Sequence, residues 1–137
     1  MIAELQHQEI LLPSSQDSLV KLEAILEDLA DNAQLSEELR GNIIVSVTEA
    51  MRNAIEFGHQ NDAKKNVRLI IDKKENELVF TVKDEGKGFD FENIADPTAP
   101  ENIEKIAGRG IFLMRNLADK VEFSEGGSKV QVHFKLS

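Results

Sequence analysis

Hydrophobic residues recur at helical spacing in two stretches of the first half of the chain. In the first stretch, the apolar residues of one face predict a helix of about four to five turns: Leu19, Leu22, Leu26, Leu29 and Ala33. Ser14 and Asp17 stand just before this stretch in a helix-start pattern. In the second stretch, residues 36–58, Ser36 is suited to cap a helix, and apolar residues on two faces predict that this helix is largely buried.

The remaining hydrophobic residues alternate with polar ones at period two, which is typical of strands with one buried face. A short apolar run at 8–12, closed by Pro13, predicts an edge strand. Alternation at 67–72 and at 78–82, around a polar turn, predicts a hairpin. A short helix is predicted at 108–119, and two further strands are predicted at 121–136 around a Glu-Gly-Gly-Ser turn.

This order of elements predicts one domain, residues 1–137, with the architecture of an α/β two-layer sandwich of the α+β kind. Its sheet is expected to be mixed but mostly antiparallel, with helices on one face and polar residues on the other. Between the hairpin and the last helix, residues 91–107 contain Pro97 and Pro100 and lack a hydrophobic period. A loop of this length in a compact domain is usually functional.

Composition narrows the function classes. The chain has 25 acidic and 16 basic residues and a net charge of -9, which argues against a nucleic-acid surface. It has no cysteine, which excludes disulfides, thiolate-held metals and a cysteine nucleophile. The N-terminal residues lack a signal-peptide pattern and no apolar run approaches membrane length, so we expect a cytoplasmic protein without a membrane segment.

The buried helix carries the first candidate chemistry, a narrow polar strip of Asn42, Ser46, Glu49 and Asn53. Glu49 and Asn53 are four residues apart, so their side chains point the same way. A carboxylate and a carboxamide on an apolar helix are costly unless they find a partner. That partner could be a metal ion with its waters, or the two residues could be a satisfied structural pair.

Two glycine motifs flank the loop. Asp84, Gly86, Gly88 and Phe89 form D-x-G-x-G-F at a strand end, where the glycines permit close approach of a flat ligand and Asp84 can accept a hydrogen bond from an amine. The run 108–112, G-R-G-I-F, leads into a helix, and free amides at a helix start favour phosphate. Taken alone, the first motif is more typical of an ordinary turn and the second of a flexible helix start. Neither is a Walker or Rossmann loop.

In this order and spacing, E-x-x-x-N, D-x-G-x-G-F and G-R-G-I-F-L-M-R resemble the motifs of the histidine-kinase-like (GHKL) ATPase superfamily. The match is best to its small bacterial branch, the anti-sigma-factor serine/threonine protein kinases. The resemblance implies the Bergerat ATP-binding fold, ATP and Mg²⁺ as cofactors, and an STAS-type antagonist protein or a sigma factor as partner. It implies no direct contact with nucleic acid or membrane, and it leaves a homodimer open.

The resemblance also implies roles for individual residues. Asn53 would ligate Mg²⁺, Glu49 would be the general base, and Asp84 would bind the adenine amino group. Residues 91–107 would be the ATP lid, and Arg109 would stabilise charge in the transition state. The remaining nucleotide contacts implied are Gly86, Gly88, Phe89, Gly108, Gly110, Ile111 and, as a weaker transfer, Ser128.

Three functions remain open at this point. The lead hypothesis is a kinase that phosphorylates a small protein antagonist and regulates a sigma factor by sequestration. The alternatives are a switch that binds ATP and its partner without phosphoryl transfer, and a regulatory fragment that partners a separate sensor. Glu49 favours the kinase, whereas Phe57 stands where family members often have histidine. His7 and His133 are predicted to be surface or strand residues, so autophosphorylation on histidine is not expected.

Overall fold

A five-stranded sheet forms one layer of the molecule. The structure, a computed structural model, describes residues 7–58, 62, 64–84 and 106–136. The strands are β1 (His7–Pro13), β2 (Asn66–Lys74), β3 (Glu77–Lys83), β4 (Lys120–Ser124) and β5 (Lys129–Lys135). Their spatial order is β1-β2-β3-β5-β4. All four pairings in this sheet are antiparallel, so the expectation of a mixed sheet is wrong for the described strands.

Three helices form the second layer. They are α1 (Asp17–Asn32), α2 (Glu37–Asn53) and α3 (Ile106–Leu117). Helix α2 lies over β3 and β5, and both α1 and α3 pack against it. The helical path of α2 continues through a wider π-helical turn, Ala54–Gly58. The predicted two-layer sandwich, with α2 as its buried central helix, is confirmed.

Apolar residues alternate with polar ones along the strands, and the apolar residues on the side facing the helices form the core. In β2, Val67, Leu69 and Ile71 are fully buried. Register places Ile71 opposite Phe80 of β3, and the Phe80 ring meets the Phe134 ring edge-on at a centroid distance of 5.9 Å. Burial of each large apolar side chain of this kind contributes about 1.5–3 kcal/mol to the free energy that stabilises the fold.

The face of the sheet away from the helices is less polar than the alternation predicts. Val79 and Thr81 of β3 point to that face, yet their exposures are 0% and 3%. Strand β3 lies between β2 and β5, so neighbouring side chains on both sides cover it. Register places Asp72 and His133 on either side of Val79. The prediction of a wholly polar open face is therefore wrong at the centre of the sheet.

The starts of the helices agree only in part with the predictions. The hydroxyl of Ser36 accepts a hydrogen bond of 3.1 Å from the amide of Leu39, which confirms the predicted cap of α2. Helix α1 instead begins after Gln16 without a side-chain cap, and the buried Ser14 hydroxyl has no hydrogen-bond partner among the described residues. The Ser14 helix-start pattern is therefore wrong as a cap.

The two described histidines lie on strands, as predicted. His7 on the edge strand β1 is 2.5 Å from Asp72, and this hydrogen bond raises the pKa of His7. His133 on β5 lies between Glu77 and Glu122. Within the described ranges, none of the helices combines the length and the apolar character that crossing a membrane requires.

Candidate functional site

The candidate site begins on α2, where a polar strip runs along an otherwise buried helix. Asn53 is 4% exposed and the Glu49 side chain is 14% exposed. The amide nitrogen of Asn53 and the hydroxyl of Ser46 are buried, and neither has a hydrogen-bond partner within the described parts of the chain. Each unsatisfied buried polar group costs about 1–3 kcal/mol. Among the described residues the strip is therefore not fully satisfied, and a metal ion as its missing partner stays a prediction.

Glu49 occupies a gap that a glycine creates in the neighbouring helix. A Cβ atom at position 110 of α3 would lie 2.6 Å from Oε2 of Glu49, a distance too short for any side chain to be tolerated without movement. Gly110 is itself buried. The position of the Glu49 carboxylate against α3 therefore depends on the missing side chain.

Arg52 holds the same carboxylate from the other side. Its guanidinium donates a hydrogen bond to Oε1 of Glu49, and its Nε lies 3.9 Å from Oε2 of Glu56. Arg52 was not among the residues that the sequence motifs predicted for the site. Its spacing of three residues from Glu49 and four from Glu56 is the usual signal for ion pairs along a helix, and could have indicated it.

Asn53 lies in the wall of a small cavity between the helices and the sheet. The cavity has a volume of about 10 Å³, room for about one water. Its lining comprises Ala50, Asn53, Ala54, Val82, Asp84, Met114, Phe123, Gly127, Ser128 and Val130. Three residues singled out in the sequence, Asn53, Asp84 and Ser128, thus meet at one place. A purine ring can enter this cavity only if its walls move apart.

Asp84 reaches the cavity because β3 ends there. Its amide donates a 2.9 Å hydrogen bond to the carbonyl of Ser128, which ties the strand end to the turn before β5. In that turn Glu125, Gly126 and Gly127 have positive φ values of 53°, 68° and 96°. The Ser128 hydroxyl donates to the Glu125 carbonyl at 2.9 Å. The turn therefore fixes Ser128 beside Asp84, which is 5% exposed.

The second glycine motif lies inside α3. The helix begins at Ile106, two residues before the predicted start at Gly108, so the last two residues of the predicted 91–107 loop are helical. Only the first four amides of a helix lack intrahelical partners. Gly108 falls within this group, whereas Gly110 is the fifth residue of the helix. Arg109 is exposed and Ile111 is fully buried.

The other predicted contacts lie outside the described residues. These are Gly86, Gly88 and Phe89 of the first glycine motif and residues 91–105 of the predicted lid. The roles of all the site residues stay predictions.

Asn53 fits the magnesium that the sequence resemblance implies. Asn53 lines the cavity that Asp84 also lines, and its carboxamide oxygen is the atom that would bind the ion. The atom without a partner among the described residues is the amide nitrogen, which is a donor and not a metal ligand. Among the described residues there is no group of three or more acidic or histidine side chains placed to hold a metal. Mg²⁺ usually takes only one or two protein oxygens and completes its shell with phosphates and water.

Comparison with known proteins identifies the class to which this fold and site belong. The family model of the histidine kinase-like ATPase domain matches residues 12–134. The chain therefore belongs to the histidine kinase-like ATPase family, as the motifs predicted.

Serine-protein kinases are among the relatives that the chain resembles in sequence. The chain is 30% identical over 119 residues to the serine-protein kinase RsbW of Listeria monocytogenes, covering 80% of this chain and 74% of that protein. It is 25% identical over 122 residues to RsbW of Oceanobacillus iheyensis, covering 85% and 77%.

Solved structures show the same fold. The RsbU and RsbW domains of Rv1364c from Mycobacterium tuberculosis align with a TM-score of 0.63 at 14% identity, covering 93% of this chain and 31% of that one. The histidine kinase AdeS of Acinetobacter baumannii aligns with a TM-score of 0.53 at 16% identity, covering 99% and 71%.

Proposed function

We propose that this protein is an ATP- and Mg²⁺-dependent serine/threonine protein kinase that phosphorylates a small STAS-type antagonist and acts as an anti-sigma factor. The observation that carries the proposal is the arrangement on α2. Glu49 is held in the gap at Gly110, while Asn53 one turn later faces the cavity lined by Asp84 and Ser128. The names of the RsbW relatives support the same activity.

The proposed reaction assigns one task to each of these side chains. Glu49 accepts the proton of a serine or threonine hydroxyl as its oxygen forms a bond to the γ-phosphorus of ATP. The bond between that phosphorus and the β,γ-bridging oxygen breaks, and ADP leaves with the electron pair. Asn53 would hold Mg²⁺, which supplies charge neutralisation at the phosphates, and Asp84 would bind the adenine amino group. Arg109, exposed near the start of α3, would stabilise charge on the phosphates in the transition state.

One contact favours the alternative, a switch that binds ATP and its partner without phosphoryl transfer. Arg52 donates to the Glu49 carboxylate, and a purely structural carboxylate would be paired in the same way. For Glu49 to act as a base, an oxygen must still be free to meet the substrate hydroxyl. Oε2, which lies against Gly110 rather than Arg52, would be that oxygen.

The variant Glu49→Gln tests the kinase directly. A positioned general base typically contributes about 10²–10⁴ in rate, so this variant should lose most phosphoryl transfer. It should keep its affinity for ATP and for the partner, because neither requires the charge. The measurement is incubation with γ-labelled ATP and candidate antagonist domains encoded beside the gene, followed by mass mapping of the modified residue.

Glu56→Gln is the matched control. Glu56 also contacts Arg52, but it lies about two helical turns after Glu49 and is not among the atoms next to Gly110, so transfer should stay within a few-fold of the wild type. Equal losses in both variants would assign the effect to Arg52 instead. If the wild-type protein binds ATP and its antagonist yet transfers nothing to serine or threonine, the switch is the correct function.

A further inference from the structure

Three cations lie side by side on the sheet face opposite the helices. Register pairs Arg68 of β2 with Lys83 of β3, and Lys83 with Lys129 of β5. Directly paired residues of antiparallel strands point to the same face of the sheet. Val67, Leu69 and Val82 point into the core, so Arg68 and Lys83 point away from it. Arg68, Lys83 and Lys129 are called the basic row below.

The charge of the basic row is only partly neutralised. Lys83 has an ion pair of 3.3 Å with Glu125, whereas neither Arg68 nor Lys129 forms one within the described parts of the chain. Arg40 and Arg52 elsewhere on the surface each contact two carboxylates. Like charges directly opposite each other destabilise a sheet. Such a row is unexpected in a chain with 25 acidic and 16 basic residues.

A concave, partly apolar surface adjoins the row. A cavity of about 270 Å³ is lined by Leu11, Asn66, Arg68, Lys83 and Asp84. Leu11 is paired with Arg68 across the β1–β2 register and is 58% exposed. The cavity therefore offers two cations and an aliphatic side chain to the same ligand. Its one carboxylate, Asp84, is buried.

We propose that the basic row and the cavity beside it dock an acidic segment of a partner protein, with an apolar side chain of that segment against Leu11. Neighbouring strands are about 4.8 Å apart, so the backbones of Arg68 and Lys129 are about 10 Å apart and the row presents its three charges along a line. Carboxylates spaced along a peptide match this separation. A long nucleic acid would extend beyond the row into the field of a chain whose net charge is -9.

This inference goes beyond the proposed kinase activity, since none of the three cations belongs to the predicted ATP site. Asp84 is the residue that the two regions share. It lines this cavity on the outer side of the sheet and the small cavity with Asn53 on the helical side. A ligand on the outer face therefore contacts the wall of the nucleotide site without entering it.

The test uses the full chain, labelled with ¹⁵N, and a short synthetic peptide of glutamates around one leucine. Amide shifts should concentrate at Leu11, Arg68, Lys83 and Lys129 and weaken as salt is added. The double variant Arg68→Glu/Lys129→Glu should bind the peptide about tenfold more weakly or worse. Lys21→Glu/Lys74→Glu makes the same change in net charge with exposed lysines outside the row, and should lose little.

Four results would overturn the proposal. Equal losses of affinity in the two double variants would mean that only the net charge of the protein matters. Equal binding of a peptide with glutamines in place of the glutamates would show that electrostatic attraction does not drive docking. A single-stranded DNA oligonucleotide that shifts the same amides at lower concentration would make the row a nucleic-acid site. A wild-type dimer that dissociates in Arg68→Glu/Lys129→Glu would make it a contact between copies. If the charge reversals disturb folding, Arg68→Gln and Lys129→Gln give the same comparison.

Discussion

At the scale of single residues, the contact between Glu49 and Gly110 links local chemistry to packing. Glycine is unfavourable inside a helix by about 0.5–1 kcal/mol relative to alanine. Gly110 nevertheless stands inside α3, at the point where any side chain would meet Oε2 of Glu49. The position of the predicted base is therefore encoded partly by a residue on another helix.

Gly110→Ala is expected to reduce phosphoryl transfer while the protein still folds. The added methyl meets the far end of a flexible side chain, so the Glu49 carboxylate can rotate away without moving the backbone. The rate should approach that of Glu49→Gln, and a chemical-denaturation curve should shift little. Gly41→Ala on α2 is the matched control, because a Cβ there has nothing within 4 Å. This variant should gain about 0.5–1 kcal/mol in stability and keep full activity. Undiminished transfer in Gly110→Ala would show that the gap does not position Glu49 for catalysis.

At the scale of elements, the two long helices begin in different ways. Helix α2 starts at a serine whose hydroxyl accepts from the third residue of the helix, whereas α1 starts without a side-chain cap. Within the part of the chain that the structure describes, the buried Ser14 hydroxyl near the start of α1 has no partner, although Ser18 in the first turn donates to the Pro13 carbonyl at 2.5 Å. Ser36 therefore stabilises the fold through its cap, whereas the buried hydroxyl of Ser14 destabilises it.

Ser36→Ala should lower the unfolding free energy by about 1 kcal/mol, because it removes the acceptor for the Leu39 amide. In a domain of this size that corresponds to a fall in Tm of about 4 °C. Ser14→Ala is the paired variant, and it should leave stability unchanged or raised because it removes an unsatisfied buried hydroxyl. Calorimetry on the two variants compares them directly. A larger loss in Ser14→Ala than in Ser36→Ala would contradict this assignment of the caps.

The sequence predicted the elements whose signals are local. The cap at Ser36 and the apolar period of α2 lie in neighbouring residues, as do the alternation and turn of the β2–β3 hairpin. The start of α3 was misplaced because Gly108 and Gly110 look like helix breakers by local propensity. Packing against α2 overrides that propensity and extends the helix back to Ile106.

The candidate site could be predicted only as separate motifs. Spacing along α2 places Glu49 and Asn53 together, but no local pattern says that Asp84 and Ser128 share a cavity with Asn53. That proximity follows from the pairing of β3 with β5, a contact between distant parts of the chain. The basic row depends on the same register, so its members look unrelated in the sequence.

At the scale of the whole molecule, Asn53 is expected to lower the unfolding free energy of the free protein and to strengthen the binding of Mg²⁺ and ATP. Its buried amide nitrogen has no partner in the described part of the chain, so removing the carboxamide relieves a cost of about 1–3 kcal/mol. Lost packing of the side chain offsets part of this gain. We therefore expect Asn53→Ala to be at least as stable as the wild type without nucleotide.

With Mg²⁺ and ATP the order should reverse. A ligand at a hundred times its Kd stabilises the wild type by about 2.7 kcal/mol, and Asn53→Ala should lose most of this stabilisation because it lacks the predicted metal ligand. Urea unfolding with Mg²⁺–ATP, and with ATP plus a chelator, measures both effects. Ser46→Ala, two turns earlier on α2, also removes a buried unsatisfied group, but it should keep the nucleotide response. If Asn53→Ala is destabilised without nucleotide and still gains stability from Mg²⁺–ATP, Asn53 is a structural residue, and the metal must be held elsewhere.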